Sequence, residues 1–416
     1  MSRLNANQTA GTSQSRTITL AILAILISVG SIVYLSSEGY KRRQAEQMST
    51  TALQKEADSH SSSPWIYYTL GVRLAREKQL PAAAEQLYAA AKLKPDSYDI
   101  QFALGRCLAF MNAGDRAEKA LMDAIALKPD AGGPYVYLTM ARHAQDRTEL
   151  AIESARKAVQ YDPKNPEAWY QFGILYTAAL GNEAEGVPHL KKAVELAPDA
   201  GVYNFAYGSA LTNVSQFAEA IPYLRRAVEK LPGNAYAHFL LAVCLHRNGA
   251  TAADADTAIA ELKTAVSLTP SDYRAHFELG NLLEERNRFP EAMAEFETAT
   301  SLNPRLGEIW FHLSRMADRT GQPQKAAAAR AKFQEIRRLH VAFQTLARRL
   351  RDHPEDVNAQ VEIGDVLMQQ GSLKSALVQF EDALHRQPNN LKARTLLEQC
   401  RHLMAESANA PAGGAK

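Results

Sequence analysis

Prolines Pro95, Pro129, Pro163, Pro198, Pro232, Pro270 and Pro304 are separated by 34, 34, 35, 34, 38 and 34 residues. A period of that length predicts stacked supersecondary units, each too small to bury its own apolar face, rather than one compact enzyme core. Other positions keep the step. Gly71, Gly105, Gly173, Gly208, Gly280 and Gly364 share one phase, and Ala90, Ala124, Ala158, Ala193, Ala227, Ala265, Ala299 and Ala383 follow nineteen or twenty residues later.

Each unit reads as two helices. In Tyr98–Ala131, Leu104, Leu108 and Phe110 mark a first helix that stops near Asn112–Gly114, and Ala117, Leu121, Ala124 and Ile125 mark a second with helical spacing. Small residues at Gly105 and Ala117 suit close helix contact, and Leu104 and Leu121 fill the remaining space.

These residues resemble the tetratricopeptide repeat family, whose pattern sets Trp, Leu, Gly, Tyr, Ala, Phe, Ala and Pro at fixed positions of a 34-residue helix-turn-helix. Trp169, Phe172, Gly173, Tyr176, Leu190, Ala193 and Pro198 carry it in one unit, and Leu279, Gly280, Leu283, Ala292, Phe296, Ala299 and Pro304 in another. In this register nine repeats start near Pro64, Tyr98, Gly132, Pro166, Gly201, Ala235, Tyr273, Gly307 and Val357. The expected fold is all-α, a superhelical solenoid of helix-turn-helix repeats preceded by one transmembrane helix.

Departures from the period are expected at surface loops. Repeat four carries one extra residue and has Gly186 where the family has Ala; repeat six carries four extra within Arg247–Asp256. Repeat eight starts normally with Trp310 and Leu313 but lacks the closing Pro, so 321–356 is expected as a long basic helix interrupting the array of 64–320. The last repeat and a capping helix take 357–406, and a disordered tail 407–416.

The amino terminus differs. After a short tail, 1–17, the run Ile18–Leu35 holds eighteen uncharged residues, about 27 Å as a helix and close to a bilayer's hydrocarbon core. It reads as a single transmembrane anchor, with a cleaved signal peptide or a buried core helix as alternatives; Leu35–Glu38 is a poor cleavage site. Arg3 and Arg16 precede the run and Lys41, Arg42 and Arg43 follow it, so positive charge pulls both ways. Repeats outside the cytoplasm are expected, as is common for a short tail and one anchor, with cytoplasmic repeats as the alternative. Residues 36–63 read as a polar linker with room for some helix.

Little here suggests chemistry. There is no P-loop, dinucleotide fingerprint, HExxH or nucleophile elbow, and Cys107, Cys244 and Cys400 form no metal or disulfide framework and read as small buried residues. His238 and His276 stand at the repeat's Trp-type packing position. No enzyme activity, cofactor, metal or small-molecule substrate is expected, and a net charge of +2 gives no global attraction to nucleic acid.

Function is therefore expected on a surface. The resemblance implies that first helices line a concave groove, where Tyr68, Phe102, Val136, Tyr170, Phe205, Phe239, Phe277, Phe311 and Val361 fall four residues into each repeat. The seven aromatic members are candidates for binding a protein segment, or else they pack between neighbouring repeats. A clamp of the chaperone-binding type needs Lys and Asn on this face, and of these Asn281 is present. The expected function is a membrane-anchored scaffold or adaptor in assembly, secretion or quality control at the cell envelope.

A second surface lies in Lys325–Arg351, where Lys325, Arg330, Lys332, Arg337, Arg338, Arg348, Arg349 and Arg351 face a single acid, Glu335. Ile336, Leu339, Phe343, Leu346 and Leu350 form a heptad stripe on the opposite side. The basic face is either a solvated surface or a site for an anionic partner, whether acidic lipid, acidic protein or nucleic acid, with Arg330, Arg337, Arg338, Arg348, Arg349 and Arg351 as candidates.

Overall fold

In the computed structural model, residues 37–409 apart from Ala250 are described, with side chains as far as Glu406, and every regular element among them is helical. The chain divides into two compact parts, the second starting at Gln216. The first holds two short helices, repeats one to four and the first helix of repeat five; the second holds the other helix of repeat five, repeats six to nine and a terminal helix, Leu391–Asn409.

A repeat is a helix of thirteen residues, a tight turn and a helix of fourteen, as in Tyr98–Phe110 and Gly114–Leu127. The turn needs one residue in the left-handed region. Lys78, Asn112, Asp146, Gly181, Ser215, Gly249, Asn287, Gly321 and Gly371 supply it, one per repeat, with φ between 56° and 81°. Within each pair the helices close on a small residue: a Cβ on Gly280 would lie 2.6 Å from Cε1 of Phe296, which is fully buried.

The repeats are tied at their starts by a recurrent hydrogen bond. The side chain at the fourth position donates to the carbonyl of the proline six residues earlier. The donors are Gln101, Tyr135, Trp169, Asn204, His238, His276, Trp310 and, in the terminal helix, Arg394, at 2.7 to 3.1 Å. Six residue types meet one need: a carbonyl left at a helix end must find a donor. His238 and His276 therefore hold a backbone joint, with Glu261 and Glu295 at 2.5 and 2.7 Å from the other ring nitrogen.

The irregular repeats depart from expectation in instructive ways. In repeat four the extra residue enters the first helix as a π turn, Leu175–Ala179, a usual way for a helix to absorb an insertion. That turn brings Thr177 Cγ2 against Gly186, so the alanine of the pattern has no space there. In repeat six most of the insertion lengthens the second helix instead of looping out: Ala252–Leu268 has seventeen residues and starts at a capping box formed by Thr251 and Asp254. In repeat eight the second helix runs unbroken for thirty residues, Pro323–Asp352. Of its heptad stripe Leu339 is fully buried, while Ile336, Phe343, Leu346 and Leu350 are half-buried.

The stretch expected as a polar linker is instead a capping hairpin, Glu38–Gln47 and Thr50–Asp58. Ser37 and Ser49 cap the two helices, and Ala45, Leu53 and Ala57 are buried against repeat one. Arg73 donates to the carbonyls of Glu46 and Met48 at 2.9 and 2.7 Å, closing the first helix's C-terminal end. So polar a sequence can cap because three small buried contacts and satisfied helix ends suffice to cover one helix pair. Among the described residues no helix is long and apolar enough to cross a membrane; Ile18–Leu35 lies outside them, as does most of the tail expected to be disordered.

Candidate protein-binding face

The first helices carry the candidate aromatics on one face, and neighbouring repeats share most of the rings. In the first part Tyr68, Phe102, Tyr170 and Phe205 are half-buried and Val136 is buried. Tyr68 is already engaged: the guanidinium of Arg42, from the capping hairpin, lies 5.6 Å from its ring and 5.2 Å from Trp65, and pairs with Asp99 at 2.5 Å. Phe102 stacks on Tyr98 at 5.7 Å and meets Tyr137 at 5.8 Å. Tyr170 meets Tyr203 in a tilted contact at 5.0 Å, and the Tyr203 hydroxyl donates to Glu167 at 2.8 Å; burial first, then that carboxylate, pushes this hydroxyl far up.

In the second part the pattern repeats with other chemistry. Arg274, held by Asp272, lies over Tyr236 and Phe239 at 5.6 and 5.8 Å, the arrangement Arg42 makes five repeats earlier. Phe277 contacts Phe296 and His312 at 5.9 and 5.6 Å. Phe311 is exposed, at 41%, and Val361 is buried. The position-five aromatics thus mainly join repeats, and one of them offers substantial ring surface to solvent.

The open chemistry of this face lies one to eight residues further along the same helices, at positions the sequence pattern did not single out apart from Asn281. In repeats six to eight they line a cleft of about 710 Å³, walled by Phe277, Glu278, Asn281, Glu284, His312 and Arg315 among others. Glu284 organises it, with His312 Nδ1 at 2.8 Å and Arg315 Nη2 at 2.7 Å on its two oxygens. Asn281 Oδ1 is buried and, among the described residues, without a partner. Fixed charges and an unmet acceptor can read a polypeptide's side chains and backbone.

The six anion-binding candidates differ in their pairing. Arg330 pairs with Asp318 and Arg349 with Asp356, both at 2.7 Å, and Arg338 donates to Gln369 at 3.3 Å. Lys325 is bound to Glu297 and Lys332 to Glu335. Arg337, Arg348 and Arg351 are exposed and have no ion pair among the described residues; on the same helix Val341 is 53% exposed.

Tetratricopeptide repeat models match residues 166–200 and, in overlapping stretches, 205–257, 251–305, 285–339 and 332–390. The chain belongs to the tetratricopeptide repeat family. Curated proteins similar to this tetratricopeptide repeat protein include the BBSome complex member BBS4 of Mus musculus, 26% identical over 320 residues, or 76% of this chain and 56% of that protein. Anaphase-promoting complex subunit 3 of Schizosaccharomyces pombe is 23% identical over 218 residues, 52% of this chain and 31% of that protein. The chain spans about a third to three fifths of the length of these curated relatives. Among solved structures, YrrB, described as a TPR protein with an unusual peptide-binding site, is 22% identical, covering 45% of this chain and 94% of its own with a TM-score of 0.42. PilF of Pseudomonas aeruginosa is 17% identical, covering 56% of this chain and 99% of its own with a TM-score of 0.45.

Proposed function

We propose that this protein is a non-enzymatic, membrane-tethered scaffold that binds a protein partner through its first-helix face, in assembly, secretion or quality control at the cell envelope. The observation that carries the binding reading is the cleft on repeats six to eight. The cleft gathers fixed charges from three repeats on one open face, and Asn281 Oδ1 leaves an acceptor to be met. Names of two relatives, a complex member and a complex subunit, accord with it. Tethering rests on the uncharged run Ile18–Leu35.

Replacing Glu278 and Glu308 with Trp fills the cleft and leaves the pairs of Glu284 with His312 and Arg315 in place. Partners isolated with the wild-type protein are lost from the variant while thermal unfolding stays the same. Retention of the same partners contradicts the reading.

A second reading is recruitment of an anionic partner by the long helix, favoured by the unpaired, exposed Arg337, Arg348 and Arg351. Binding of that kind falls steeply between low and moderate salt and disappears when the three are changed to Glu; salt-insensitive binding rules it out.

A further inference from the structure

We propose that the hollow between the first helices of repeats one, two and three docks a partner segment in which an acidic side chain lies beside a bulky apolar one. This rests on the reading that the first-helix face binds protein, and it names the chemistry recognised at one place on it. The hollow has a volume of about 280 Å³; Leu80, Ala103, Phe110 and Tyr137 form its apolar walls, and Arg76 and Arg106 stand in its lining, which contains no carboxylate.

The two guanidiniums set this hollow apart. On other first helices Arg142 is answered by Glu118 at 3.0 Å, Arg274 by Asp272 at 2.8 Å and Arg315 by Glu284 at 2.7 Å, while Arg247 and Arg319 line the cleft that also holds Glu278, Glu284, Glu285 and Glu308. Arg76 and Arg106 have no ion pair among the described residues. Arg106 is nonetheless half-buried, its guanidinium over Phe102 at 5.9 Å, and lines the hollow together with Tyr137. A guanidinium fixed in a partly desolvated site without a counter-charge is matched by an incoming carboxylate, through charge-assisted hydrogen bonds that lose little conformational entropy.

The apolar half of the site is equally incomplete. Phe110 is 52% exposed, its ring 5.6 Å from that of Tyr137, so one bulky side chain entering beside them removes apolar surface from water on both rings. Arg76 and Phe110 are exposed while Arg106 and Tyr137 are half-buried, so the charged and the apolar half of the hollow each have an outer and an inner member. That pairing fits a passing chain with an acidic side chain next to a bulky apolar one. The occupant is an internal acidic residue of a partner beside that apolar neighbour.

The test uses the full chain in detergent micelles and a C-terminally amidated decapeptide of Gly and Ser carrying one glutamate followed by benzoylphenylalanine. After irradiation, adducts are mapped by mass spectrometry. The proposal expects adducts on the segments around Val72–Leu80, Ala103–Phe110 and Tyr137, and labelling lower by about tenfold when glutamine replaces the peptide's glutamate. Arg76→Glu, at an exposed position, lowers labelling by itself; together with Arg106→Glu it abolishes it, and a lysine-bearing peptide restores it. Equal labelling by the glutamine peptide, or a need for a free terminal carboxylate, overturns the proposal. Adducts confined to the cleft of repeats six to eight overturn it too but leave the first-helix reading standing, and adducts on the second helices overturn both.

Discussion

His276 places Nε2 3.1 Å from the Pro270 carbonyl and Nδ1 2.7 Å from a Glu295 carboxylate oxygen, so both ring nitrogens face acceptors. Only the imidazolium satisfies both. Burial by itself lowers the pKa of His276, but the Glu295 hydrogen bond and the Pro270 carbonyl outweigh it and raise it above the ordinary value. A raised folded-state pKa gives stability that is fully present below the unfolded value, about 6.5, and is lost as pH rises through the folded one. The thermal midpoint of the wild type should therefore exceed that of His276→Leu by more at pH 6 than at pH 9, as read by circular dichroism. An equal gap at both pH values removes the charged form from the account.

The contact of Gly280 with Phe296 should make Gly280→Ala destabilising by about 1–3 kcal/mol through overpacking, because the new Cβ would meet a ring with no room to retreat. Urea titration measures the loss. Adding Phe296→Leu should cost less in the Gly280→Ala background than in the wild type, and additive losses contradict close packing as the cause.

Lys78 is exposed and left-handed, with φ 62°. Glycine at that turn avoids a steric cost but loses some backbone entropy, so Lys78→Gly should stabilise by up to about 1 kcal/mol. A denaturation midpoint at or below that of the wild type would show that the turn is not strained.

The register of the repeats was legible because close helix contact leaves few choices at positions such as Gly105 and Ala124, and proline after the second helix is cheap. The joint at the fourth position was not, since it demands only a donor of suitable reach, which Trp169, Asn204 and Arg394 supply equally well. The capping hairpin was hidden by its polar composition: its hold on repeat one comes from Ala45, Leu53 and the carbonyls that Arg73 satisfies. On the first-helix face the aromatic stripe was visible at its exact spacing, but whether a ring packs or stays open depends on neighbours some thirty residues away. Arg42 covering Tyr68 and Phe333 flanking Phe311 follow no fixed pattern in the sequence. The cleft around Glu284 leaves no sequence pattern for the same reason, because its charges come from separate repeats.

The central claim is that partners bind the first-helix face. The most direct measurement incorporates a photocrosslinking benzoylphenylalanine in cells at Glu278 or Glu308, which line the cleft, and separately at Arg225 or Lys263, exposed on second helices. The account predicts discrete adducts from the first pair of positions, lost when the cleft is filled by Trp at the other position, and none from the second pair. Adducts from Arg225 and Lys263 alone would contradict it.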